Sequence, residues 1–327
     1  ILFFVEPEYF LIEDQAIYVQ LAQQLPNSDF LGANTERVPG YPLFMASIYT
    51  LFGDGEWSVI IVQILLDSIS CVMMALTAYS LFGKGFWIAG ILSAANLNMI
   101  ILSSTLLTDT LFLFLFILFL FSLLQYLKSE HIAWFFLLVL FISLATLVRS
   151  VSYYLLPILL IWLLGWRLWK KDSILKICAL AISYVFIVGV LLGSIHQRNY
   201  QQYGSTAFIT QTGGAVLGWV VPATYQYSGM GSYQDGQKLV KKRLDLALQK
   251  DHLLELPSNP FESSAYRANV GKEILLEFGF INIIKVWLVG STTNLLAPSV
   301  VFSPALRSME HPSFYETKGS GVVEKLF

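Results

Sequence analysis

Asp14 and Tyr18 stand four residues apart in EDQAIYVQLAQQL, a spacing that brings both side chains out on one side of a helix. A carboxylate held there can accept a proton from a hydroxyl, the task of a general base. The competing reading is that Glu13 and Asp14 are first-turn acids favoured by the helix dipole. Arg37 opens the run RVPGYP, read as a rigid turn ending just before an apolar helix. A guanidinium fixed at headgroup level can clamp a phosphate with two parallel hydrogen bonds, or simply snorkel to lipid. Three more residues are candidates of the same kind. Asp109, behind Thr105 and Thr108, is either a site carboxylate or a helix-start acid. Arg149 either meets a phosphate or anchors to lipid, and Arg198, followed by Asn199 and Tyr200, divides the same way.

These residues must be positioned by a chain of unusual composition. Of 327 residues 56% are hydrophobic and 13% charged, against about 45–50% and about 25% in a soluble domain. With a mean hydropathy of +0.64 and several apolar runs longer than the roughly 18 residues that cross a bilayer, an all-α polytopic membrane protein is expected. Spans are expected at about 57–82, 86–104, 106–127, 132–148, 151–169, 174–195 and 280–302, and Asp67, near the middle of the first, is read as pairing with a neighbouring helix. The opening ILFFV reads as the tail of a spanning helix and KGSGVVEKLF as a polar stretch without a closing one, so the chain is expected to be truncated at both ends.

Short loops carrying Lys84, Lys128, Arg167, Lys170, Lys171 and Lys176 place one side in the cytoplasm. The long segments 6–56 and 196–279 then lie outside. The expected organisation is 1–56, the end of a first span and an external loop with interfacial helices; 57–195, six spans; 196–279, a large external loop; 280–302, a span; and 303–327, an external segment. In the first loop Ile17, Leu21, Ala22 and Leu25 form an apolar face suited to an interfacial helix. In the large loop QDGQKLVKKRLDLALQ has helical spacing, and Asn259 with Pro260 starts a helix to about Phe278, together a partly helical lid. The aromatic cluster Trp219, Tyr225, Tyr227 and Tyr233 reads as an interfacial belt. The two cysteines, Cys71 and Cys178, sit in apolar runs and support neither a disulfide nor a thiolate metal site. A net charge of −2 without a basic stripe sets nucleic acid aside. His131, His196, His252 and His311 have no zinc-holding spacing.

Asp14, Tyr18 and Ala22, then RVPGYPLFMASIYTLFG, VQILLDSIS, SSTLLTDTLFLFLF, LVRSVSYYLLP and HQRNYQQYG, together resemble the polytopic glycosyltransferases related to dolichyl-phosphate-mannose protein mannosyltransferases and the lipid A aminoarabinose transferase. The resemblance implies the C-type glycosyltransferase fold and transfer of a sugar from a polyprenyl-phosphate donor to an acceptor outside the bilayer. It implies Asp14 as catalytic base, Arg37 facing the carrier phosphate, and Asp109 as a further acidic site residue; the residues read above add Tyr18, Arg149 and Arg198 as candidates for binding substrate or phosphate. The expected location is a bacterial plasma membrane. The order Glu13 then Asp14 departs from the Asp-Glu pair of relatives acting on protein, so the acceptor stays open among lipid, glycan and protein. No cofactor is certain; a divalent cation bridging Asp14, Asp109 and the phosphate has no motif behind it. Two other classes compete: a flippase for lipid-linked sugars, with Asp67 as coupling site, and a non-catalytic assembly subunit.

The orientation is tested by labelling. With Cys71 and Cys178 replaced, an impermeant maleimide added outside should label Ser232→Cys and not Ser173→Cys. The reverse pattern would invert the chain and take Asp14 off the outer face.

Overall fold

The computed structural model describes residues 14–25, 34–53 and 55–296; Glu13, the start of the chain and the segment 303–327 lie outside them. The chain is an all-α, multi-pass membrane protein. Its described residues fall into two compact units, one up to Arg198 and the other from Asn199.

In the first unit, α1 (Asp14–Gln24) and α2 (Gly40–Phe52) precede α3 (Glu56–Phe82). The chain continues through α4 (Phe86–Ala94), α5 (Leu97–Ser103), α6 (Asp109–Ser129), α7 (Ile132–Val148), α8 (Leu155–Trp169) and α9 (Ile174–Tyr203). Among the described residues four helical stretches are individually long and apolar enough to cross a membrane: Glu56–Phe82, Asp109–Ser129, Ser150–Trp169 and Ile174–Tyr203. They show apolar side chains to their surroundings, as lipid-facing helices do; Ile61, Leu65, Ile158, Ile161, Ile182 and Phe186 are all exposed. The 17-residue α7 is different: Phe135, Leu138, Val139, Ile142, Ala145 and Val148 are buried. It is apolar all round because protein, not lipid, covers much of it.

Several expected boundaries are corrected. The run 86–104 is two helices bent by 54°, because Asn96 ends one and caps the next, its side chain accepting the N–H of Asn98. The span expected from 106 starts at Asp109. The stretch before it turns, with Leu106 fully buried. The span expected from 151 opens as a 3-10 turn, Ser150–Tyr154, before α8. The helix expected to end at 195 runs on to Tyr203, since nothing in HQRNYQQY breaks it before Gly204, at φ +67°. His196 and Arg198 therefore ride on a helix rather than in a loop. RVPGYP is not a rigid turn throughout: Gly40, Tyr41 and Pro42 form the first turn of α2, where Pro is tolerated because no intrahelical donor is lost. On α1 the buried face is Tyr18, Val19 and Ala22, while Ile17 is exposed.

One contact sets the geometry of this unit. A Cβ built on Gly40 would collide with the carbonyl oxygen of Leu147, so α2 and the end of α7 meet backbone to backbone. Tyr41, Met45, Ile48, Val59, Ile60, Leu106, Ala145 and Val148 form the core around it. At the opposite end of α6 a buried cation is fully paired. Arg167 donates to the Tyr126 hydroxyl at 2.7 and 3.0 Å and to Glu130 at 2.6 Å, lies 3.0 Å from Asp172, and stacks over Trp166. Hydrogen bonds from Arg167 and Lys170 pull the Glu130 carboxyl below its ordinary range.

In the second unit α10 (Gln211–Ala215), a π turn (Val216–Val220) and α11 (Val221–Tyr227) lead to α12 (Tyr233–Lys250), α13 (Pro260–Phe278) and α14 (Phe280–Leu296). The helices read from QDGQKLVKKRLDLALQ and from Asn259–Pro260 are both present. Ser232 and Asp235 form a capping box on α12, with the Asp235 carboxyl pushed down to about 2 by hydrogen bonds from Ser232 and Lys238. The Asn259 side chain accepts the N–H of Phe261. Leu217, Val221, Val270 and Ile274 make the core. The described part of the span expected at 280–302 is α14, bent by 106° from α13.

Gly40→Ala should be destabilising by about 1–3 kcal/mol, the usual cost of forcing atoms into a filled site. Thermal unfolding of the detergent-solubilised protein measures this; an unchanged midpoint would mean that α2 can retreat freely from α7.

Candidate functional site

The site is built at the ends of α1, α2, α6 and α7, all within the first unit. Its loop is shaped by Asn34, whose side-chain oxygen accepts the N–H groups of Glu36 and Arg37 at 2.9 and 2.7 Å. Such a turn lets a short polar side chain stand in for backbone pairing. Arg198 donates to the Asn34 carbonyl at 3.3 Å, so it holds the loop that carries Arg37. Arg37 reaches back to α1: its Nη2 donates to Asp14 Oδ1 at 2.6 Å, and its guanidinium lies 5.8 Å from the centre of the Tyr18 ring. Tyr18 in turn meets Tyr41 edge to face at 5.1 Å. The expectation that Asp14 and Tyr18 share one side of a helix is met, and Arg37 is the group they share.

Asp109 is the first residue of α6 and Arg149 the residue that ends α7; the two side chains form a second ion pair. The Arg149 guanidinium also lies 5.8 Å from the Phe112 ring. The contact at Gly40 explains why two pairs far apart in sequence gather, since it fixes the start of α2, three residues after Arg37, against Leu147, two before Arg149. Both tyrosines feel the assembly. The Tyr18 hydroxyl is held above its ordinary range by burial, against the pull of Arg37, with Asp14 and Arg149 also acting on it. Burial raises Tyr41 well above its range, with smaller contributions from Tyr49, Tyr18 and Asp109. Both phenols stay protonated at neutral pH and can donate hydrogen bonds. The charges of the two pairs cancel. Asp14 is 47% exposed and Arg37 20%, and a pair so exposed contributes about 1 kcal/mol or less. It is a contact that can open at little cost.

The sequence reading passed over Gln63. This amide is fully buried inside α3. Its oxygen accepts the Tyr41 hydroxyl at 2.7 Å, and its nitrogen donates to the carbonyls of Thr105 and Ser103 at 2.7 and 3.2 Å. From α1 the Gln15 side chain accepts the Leu106 N–H at 3.1 Å. Two glutamines thus fasten the turn that leads into Asp109 to α1, α2 and α3. A lone amide in VQILLD is the only trace of this in the sequence. Asp67, expected to pair with a neighbouring helix, instead lines a cavity of 590 Å³ with Ser68, Cys71, Ala75 and Trp87. Its neighbour Ser68 bonds its own helix at Ile64.

Among the described residues no three His, Cys, Asp or Glu side chains gather so as to hold a metal ion, and the carboxylates of Asp14 and Asp109 each face a guanidinium. His196 lies 3.4 Å from the Tyr153 hydroxyl.

Residues 36–192 match the family described as dolichyl-phosphate-mannose-protein mannosyltransferase. No curated protein and no solved structure matches the chain. The likeness covers just under half of the chain and supports a relation to mannosyltransferase-type membrane glycosyltransferases. The matched stretch contains Arg37, Asp109 and Arg149. Asp14 and Tyr18 precede it and Arg198 follows it; the geometry, not the match, ties them to the others.

Gln63→Leu removes partners from one hydroxyl and two buried carbonyls, each costing about 1–3 kcal/mol when left unsatisfied. Its thermal midpoint should drop well below that of wild type, and amide exchange at 104–109 should quicken. Wild-type protection there would show that the turn does not depend on the amide.

Proposed function

We propose that this chain, as a relative of the mannosyltransferases, moves a sugar from a polyprenyl-phosphate donor to a hydroxyl acceptor on the extracytoplasmic side of a bacterial plasma membrane. The observation that carries the reading is the joining of Asp14 and Arg37 by a 2.6 Å ion pair beside Tyr18, with Asp109 and Arg149 forming a like pair at the same end of the unit. A carboxylate and a guanidinium side by side are what displacement at an anomeric carbon needs. The acceptor oxygen bonds to that carbon as the bond from carbon to phosphate oxygen breaks. The polyprenyl phosphate leaves with the electron pair, and the hydroxyl proton passes to Asp14. Arg37 offsets the charge gathering on the leaving phosphate, with Arg149 as the second cation and Tyr18 as a hydroxyl donor. Arg198 acts by holding the Asn34 loop rather than by touching substrate.

The orientation follows from the charges. The Arg167–Glu130–Asp172 cluster, with Lys170 and Lys176, stands at the far end of α6 from Asp109. Short basic loops stay in the cytoplasm, and the 21 residues of α6 cover about 31 Å at 1.5 Å per residue. Asp109 then reaches the outer boundary. The layout proposed with it is an external segment 1–56, a membrane region 57–195, an external segment 196–279, a span at 280–302 and an external end, arranged as a C-type glycosyltransferase. The flippase reading has less behind it, since the carboxylates joined to arginines stand at the ends of helices and not at mid-span.

The test is transfer of labelled sugar from polyprenyl-phosphate donors, mannose first among them, in membranes containing the full-length protein. Asp14→Asn keeps the shape but cannot take the proton, and transfer should fall about 10²- to 10⁴-fold. Arg37→Lys should retain more activity than Arg37→Ala, since Lys keeps the charge and loses the fork. Glu13→Gln should matter less than Asp14→Asn. Full activity in Asp14→Asn would remove the base and reopen the flippase and assembly-subunit readings.

A further inference from the structure

We propose that Asp14 and the donor phosphate compete for one guanidinium, so that binding of the donor is itself the event that releases the base. The inference rests on the function proposed above and adds how that site is controlled. At rest Asp14 Oδ1 is engaged by Arg37 Nη2 at 2.6 Å. That oxygen points at a cation rather than at an acceptor hydroxyl. It must leave the pair to act.

The two partners are not equally placed to move. Arg37 is held by its backbone N–H on Asn34, by its ring contact with Tyr18, and by a loop that Arg198 secures. It is also the more buried of the two, at 20% against 47%. An anion arriving from the aqueous side meets Arg37 on its open side by taking the place of Asp14. Phosphate is the better partner for the planar fork, because it offers two oxygens in matching geometry. The exchange keeps the arginine neutralised. It leaves the freed carboxylate next to a new negative charge, an arrangement that favours proton uptake from the acceptor. Before the donor arrives Oδ1 of the base stays on Arg37.

This leads to an expectation opposite to that for an ordinary binding residue: removing the acid should strengthen phosphate binding. The probe is farnesyl phosphate, titrated by calorimetry into the full-length protein in nanodiscs, with farnesol as the uncharged control. Asp14→Asn should bind farnesyl phosphate up to about fivefold more tightly than wild type, the equivalent of losing a competing ion pair of this exposure. Arg37→Ala should bind it more weakly, and farnesol should not distinguish the variants. Asp14→Ser is the second variant, should the first fold poorly. Equal or weaker affinity in both Asp14 variants would overturn the exchange, as would wild-type protein that does not bind the probe at all. Tighter binding in Asp109→Asn but not in Asp14→Asn would also overturn it, by moving the competition to Arg149. No acceptor is present in the titration, so a wild-type protein that binds in this pattern but transfers no sugar would fail the proposed function and not the exchange.

Discussion

α2 and α7 touch at Gly40 and Leu147 with no room for a side chain between them. That contact is the constraint from which the rest of the first unit follows. Backbones meet this closely only where one residue lacks a Cβ, and in an apolar bundle small residues are what allow it. Because α7 ends one residue beyond Leu147, whatever follows α7 is brought to the start of α2. The residues that flank the contact are Arg37 on one side and Arg149 on the other, each already joined to an aspartate.

Hydrogen bonding then makes the arrangement definite. The core around Gly40 is apolar and would tolerate sliding of one helix on another. Gln63 removes that freedom, since its amide has specific partners on α2 and on the turn before α6. A buried polar group with every partner in place selects one packing, because any other leaves it unsatisfied at a real cost. The Asp–Arg pairs play a different part. They are partly exposed and contribute little to stability, as the proposed exchange of partners requires.

The charges at the two ends of α6 differ in burial and in the number of their partners. Arg167 is buried, saturated by Tyr126 and Glu130 and stacked on Trp166; breaking it would strand a cation. Arg37 and Arg149 are more open, with one carboxylate each. The same residue type is thus buried and fully paired at one end and more open, with a single carboxylate partner, at the other.

Composition and apolar run length determined the class of this protein, because a bilayer demands long apolar helices whatever their packing. Local signals were equally legible: the helical spacing of QDGQKLVKKRLDLALQ and the pair Asn259 with Pro260 mark two helices through residues close in sequence, which the sequence displays directly. Asp14, Arg37, Asp109 and Arg149 could be singled out one by one, since charges are scarce in such a chain. Their pairing could not, as each ion pair joins residues 23 or 40 positions apart. Nor could the burial of Gln63, the bend at Asn96 or the need for glycine at position 40. Each of these depends on which neighbour a helix packs against. Apolar helices share so uniform a surface that hydropathy cannot choose among neighbours; close packing and the hydrogen bonds of a few buried polar groups make that choice, and both exist only in the folded chain.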